Sequence, residues 1–138
     1  MKTLSVENQY SQHRDNMTSL TERLWRDTAE GPALIASKQL SSGELVFPPI
    51  LEQSPLADRY AAVIVPPTGV VYSYTIVHPN AKTGQTPYAL ALIDLHGPVR
   101  IFGRLDGARR PEIGDRVHAV PDDTLGYVFH FDAAGAMA

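Results

Sequence analysis

By residue type, Asp94 with His96 and His130 with Asp132 are the best chemical candidates in this chain. Spacing i, i+2 puts both members of each pair on one face of an extended strand. There a carboxylate beside an imidazole can ligate a metal, or serve as orienter and base. The plainer reading is solvated polar residues on an outward face. The sequence holds no glycine-rich phosphate loop, nucleophile elbow or helical metal-ligand spacing to complete a catalytic set. Arg104, Arg109 and Arg110 fall around one turn and could receive a phosphate, although Asp106, Glu112 and Asp115 are close enough to balance them. His78 stands at a strand end before Pro79, where it could cap the strand or touch a partner. The loop from Pro79 to Thr86, which carries Lys82, is polar and glycine-bearing between two apolar runs. Small barrels make contacts through such loops, so this one is the first choice for a partner or ligand.

Composition narrows the classes further. At 138 residues and 43% hydrophobic, the chain makes one domain with a modest core. Its net charge of -3 provides no basic face of the kind that displaces counterions from nucleic acid. With no cysteine, disulfides, thiolate metal sites and a cysteine nucleophile are excluded. The N-terminus lacks the apolar core of a secretory signal, and no run approaches the ~20 apolar residues of a membrane span. A soluble, cytoplasmic protein is the expectation.

The elements that must position these residues are mainly β. VVYSYTIVH from Val70 is followed by PYALALIDLHG, VRIFGRLDG, IGDRVHAV and LGYVFHF, with no helical pattern between them. Such a succession predicts a small five-stranded barrel that binds something, with Ala61 to Val65 leading into it. Alternation groups Leu125, Tyr127, Phe129 and Phe131 against Val128, His130 and Asp132, and sets Val99 and Ile101 against Arg100, Phe102 and Arg104. Tyr88 to Ile93 is apolar on both faces, as a strand covered from two sides would be. Upstream, residues 1–17 read as a flexible arm. Ser19 and Glu22 have capping-box spacing for a helix carrying Leu20, Leu24, Trp25 and Ala29 on one side and ending at Gly31-Pro32. Trp25 could pack on the domain's own body or form a partner-facing surface. Leu34-Ile35 and Leu45-Val46-Phe47 flank turn residues Ser41 to Glu44, Pro48-Pro49 stops the pairing, and Leu51 to Tyr60 could hold a helical turn.

Together these residues resemble the thiolase-associated OB-fold proteins. Members of that family carry an N-terminal helix, a rubredoxin-like zinc ribbon and a C-terminal OB barrel. Gly43, Phe47, Pro48 and Pro49 match the ribbon frame, and Val71 to His78 matches the barrel opening. Pro87-Tyr88, Ala91 to Leu95 and Ile113 to Val117 match later strands, so the likeness runs from about residue 19 to residue 132. The zinc positions fall at Gln39 and Ser42, and near Gln53 and Leu56; none is a cysteine, and no histidine lies between His13 and His78. Structural zinc needs thiolate or imidazole ligands, so a degenerate, metal-free ribbon-like hairpin is expected. The resemblance implies three stretches: residues 1–17 as an arm, 18–60 as helix plus ribbon, and 61–138 as the OB fold.

The resemblance also implies a non-catalytic accessory subunit of a thiolase-like or ketosynthase-like acyltransferase complex. It would bridge subunits and help hold the CoA or pantetheine arm of an acyl substrate, and it would bind no cofactor of its own. Arg104, Arg109 and Arg110 are then candidate contacts to CoA phosphates, and Trp25, Phe47, His78 and Lys82 candidate partner contacts. No role for nucleic acid or membrane is implied. The alternative is a stand-alone OB module for single-stranded nucleic acid or a small ligand, stacking bases on Tyr72, Tyr74 and Phe102.

Overall fold

The computed structural model describes residues 20–95, 99–107 and 109–132. The expected arm, the Ser19 cap, His96 and the alanine-rich tail lie outside these residues. The helix, α1, spans Leu20–Leu24 and stops well before Gly31. Trp25–Thr28 is instead a strand, β1, paired antiparallel with β2 (Gly31–Gln39) from Trp25↔Leu34 to Thr28↔Gly31. Pairing with β2 claims the residues after Leu24 that the helical spacing would have used. β2 is buried from Ala33 through Ser37, and its one buried polar side chain accepts a hydrogen bond from the Ile50 N–H at 2.8 Å.

β3 (Leu45–Val46) returns beside β2 across a turn in which Gly43 takes the left-handed conformation, φ 76°. Phe47 has already left the strand. The segment after Pro49 contains a 3-10 turn, Ala57–Arg59, in place of a longer helix. β4 (Tyr60–Val65), expected to lead into the barrel, pairs with β2 from Gln39↔Tyr60 to Leu34↔Val65 and completes a four-stranded sheet. Its apolar composition suits either neighbour, so the sequence pattern alone could not choose.

The five predicted barrel strands are β5 (Thr68–Val77), β6 (Tyr88–Leu95), β7 (Val99–Asp106), β8 (Arg116–Asp122) and β9 (Gly126–Phe131). They close in the order β5-β6-β7-β9-β8, with β7 and β9 parallel and the other neighbours antiparallel. This is a mainly β protein with an OB-type closed barrel. β5 bends at a bulge between Val71 and Ser73. At Gly69 a Cβ would land on the Asp94 carbonyl, so only glycine allows β5 and β6 to approach this closely.

Alternation holds in β6 and β7, where Ala89, Ala91, Ile93, Leu95, Val99, Ile101 and Leu105 point inward and are buried. Leu90 and Leu92 are only half-buried, so the outer face of β6 is not covered as expected. In β9 the pattern breaks: Leu125 sits in the preceding turn, 50% exposed, and Val128 is buried as well as Phe129. The reason is that α1 packs against β9 from outside. One continuous core joins Leu24, Trp25, Leu34, Ala36 and Val65 to the barrel interior around Ile93, Val117 and Phe129. Among the described residues no helix is long and apolar enough to cross a membrane.

Candidate functional site

The outer wall of the barrel at β6 and β7 carries a groove of about 370 Å³, lined chiefly by Tyr88, Leu90, Phe102, Arg104, Leu125 and Tyr127. Outward-facing positions of β6 and β7 supply Leu90, Phe102 and Arg104 because neighbouring strands in register stack same-parity residues side by side: Leu92 faces Phe102, and Leu90 faces Arg104. Gly103 lies between Phe102 and Arg104. A Cβ there would meet Tyr127 at 2.8 Å and Phe129 at 2.9 Å, so its absence lets both rings pack tightly under β7. The Tyr127 hydroxyl donates to the Phe102 carbonyl at 2.5 Å, and burial raises its pKa above the ordinary 10.0.

Two loops flank the groove. After β5, Asn80 accepts from the Lys82 N–H at 3.0 Å and Thr83 Oγ1 donates to the Asn80 carbonyl at 2.8 Å, forming a 3-10 turn that Gly84 ends at φ 72°. The loop is thus locally organised, with Lys82 and His78 exposed. On the other side, Asp122 Oδ2 accepts from the N–H groups of Thr124 and Leu125, which sets Leu125 over the groove.

The three arginines are dispersed rather than gathered into one cradle. Arg104 Nε lies 2.8 Å from Asp106 Oδ1, with its guanidinium 4.7 Å from the Tyr88 ring centre. Arg109 Nη1 binds Asp115 Oδ2 at 2.9 Å and lies over Phe131. Arg110 Nε donates to the Tyr74 hydroxyl at 3.3 Å. Only Arg104 lines the groove. The hydrogen bond from Arg109 holds the Asp115 carboxyl below its usual range, and the same carboxylate accepts from the Glu112 N–H at 2.7 Å.

Trp25 corrects the expectation of a partner-facing surface. It is 7% exposed, and its indole Nε1–H donates to the Gly126 carbonyl at 2.8 Å, because β1 carries it between the first sheet and the barrel. Phe47 is half-buried with its ring edge-on to Tyr127 at 5.7 Å, so it braces the groove from behind rather than standing free. The expected His130–Asp132 pairing is also redirected. His130 and Asp132 do follow one another along β9, but Asp132 Oδ1 lies 2.8 Å from Nδ1 of His118 on β8, across the strands. Asp94 engages Arg100 in a two-point bond at 2.6 and 3.2 Å, and Arg100 lies 3.5 Å over the Tyr72 ring. That clamp, at the far end of the same wall, has no local sequence signal because its members come from three strands. It also occupies one face of a tyrosine that base stacking would need.

The positions that would hold zinc do not fit a metal. Ser42 Oγ donates to Gln39 Oε1 at 2.6 Å, so the two side chains satisfy each other, and Leu56 is an exposed alkyl group.

Comparison with known proteins agrees with this architecture. Residues 62–122 match the family model of the ChsH2 C-terminal OB-fold domain. A DUF35 domain-containing scaffold protein of Methanocaldococcus jannaschii is 30% identical over 104 residues, covering 71% of this chain and 74% of the relative. A solved structure, the Ltp2-ChsH2(DUF35) aldolase, is 27% identical with a TM-score of 0.55, covering 72% of this chain and 84% of the matched one. This chain belongs to the DUF35 family of thiolase-associated OB-fold proteins.

Proposed function

We propose that this chain is a non-catalytic accessory subunit of a thiolase-like acyltransferase complex, and that the β6–β7 groove takes the pantetheine arm of an acyl-CoA substrate where the catalytic partner docks. One observation carries the reading: the aromatic-walled groove, with Arg104 at its lip, lies on the wall flanked by the two barrel loops. A pantetheine arm is a narrow thread with a few amides, and an apolar slot with sparse polar groups suits it. Its phosphates need cations, which Arg104 and the exposed Lys82 can supply at this end, with Arg109 and Arg110 beyond. The partner, a thiolase-fold protein, supplies the cysteine nucleophile that this chain does not contain. A relative named as a scaffold and another solved within an aldolase support an accessory role.

The test is equilibrium binding of acetyl-CoA to the complex purified from the native host, comparing the natural chain with Phe102→Asp. The variant should bind at least tenfold more weakly with the complex still assembled. Equal affinity would remove the groove from the reading.

A further inference from the structure

β4 has an open edge. Its residues Tyr60–Val65 pair with β2 along one side only; among the described residues no strand reaches the other side, where the Tyr60 N–H at the start of the strand donates to the Ala57 carbonyl. The segment reads Tyr-Ala-Ala-Val-Ile-Val, without charge, proline or bulge, the devices by which sheets normally blunt such an edge. Ala61 and Ala62 are exposed, and Ile64 is 50% exposed. On the opposite side of β2 the flanking strands are protected: β1 carries Arg26 and Asp27, and β3 has only two residues.

We infer that β4 pairs with β4 of a second copy of this chain, antiparallel, across a two-fold axis perpendicular to the sheet. Such an axis keeps the faces of the two sheets aligned, so residues that meet across the seam share parity. With Ala62 on the axis, it meets its own counterpart, Ala61 meets Val63, and Tyr60 meets Ile64. Small side chains at the centre let the backbones close, and each exposed Ile64 is covered by a Tyr60 ring. Asp58 and Arg59 precede the strand and Pro66-Pro67 follows it. In this register Arg59 falls opposite Val65 and Asp58 opposite Pro66, so no like charges meet and proline ends the ladder at both ends. An uncharged strand offers nothing to select a charged peptide, yet it is complementary to itself. A seam of this length alone buries less than the ~1,200 Å² of a stable interface, so the isolated pair dissociates on dilution. The pairing is independent of what the barrel groove binds.

Because the chain has no cysteine, an introduced thiol is the only one present. Ala62→Cys should form a disulfide-linked dimer under mild oxidation. Ile64→Cys should not, since its counterpart lies about 13 Å along the seam, and neither should Thr124→Cys in the β8–β9 turn. Sedimentation of the natural protein should show association rising with concentration. Ala62→Lys, which sets like charges face to face, should remain monomeric with unchanged circular dichroism. A natural protein monomeric at every concentration would overturn the pairing. Cross-linking of Thr124→Cys or Ile64→Cys as fast as Ala62→Cys would overturn it too, by placing the contact elsewhere. Loss of Ala62→Cys cross-linking in favour of a co-purifying polypeptide would overturn it in favour of a foreign strand.

Discussion

The Trp25 indole fastens the first sheet to the turn beside the groove through one bond to the Gly126 carbonyl. Trp25→Phe keeps most of the apolar bulk but leaves that carbonyl without its donor, which costs about 1–2 kcal/mol; urea unfolding should show the lower midpoint. The Tyr127 phenol, raised above 10.0 by burial, has its own consequence. The unfolded chain gives up that proton first, so the contribution is intact below about pH 10 and is lost as pH rises through the folded value. Tyr127→Phe should therefore flatten the alkaline fall in melting temperature, while lowering stability near neutrality through the lost bond to Phe102. At this scale the sequence was only half legible. Arg104 and Phe102 could be placed on one face from alternation alone. The Arg100–Tyr72–Asp94 clamp and the His118–Asp132 pair could not, because lateral neighbours in a sheet carry no local signature.

The barrel strands were readable as elements because each run alternates and ends at a turn signal. The first sheet was harder. β1 lies inside a helical spacing, and β4 pairs with β2 rather than leading into the barrel, a choice its apolar pattern does not specify. The turn from Gln39 to Glu44 is held by hydrogen bonds of its own. The Gln39 N–H donates to the Glu44 carbonyl at 2.8 Å, the Gly43 N–H donates to the Gln39 carbonyl at 2.7 Å, and Ser42 closes on Gln39. The Leu40 N–H donates to the Arg59 carbonyl at 2.9 Å, tying this turn to the next. Zinc or a strong chelator should leave the melting temperature unchanged; a shift of several degrees with zinc would contradict a turn held by hydrogen bonds and packing alone. Ser42→Ala should cost about 0.5–1 kcal/mol, as expected for an exposed hydrogen bond.

Across the whole molecule, the first sheet and the barrel share one core, with Leu24, Trp25, Leu34 and Val65 packed into the same cluster as Ile93 and Phe129. Heat should therefore unfold the chain in one transition, with calorimetric and van't Hoff enthalpies equal; two resolved transitions would mean the sheet folds by itself. A groove open on one wall and an open β4 edge on the first sheet give the molecule two faces with work still to do, as a subunit would have. Docking on a partner should raise the melting temperature of the chain. The most direct measurement is affinity purification of the chain from its native host, with mass spectrometry of what co-elutes in stoichiometric amount. Recovery of a thiolase-fold protein is the predicted result. A chain that elutes without such a partner and retains no acyl-CoA would contradict the account.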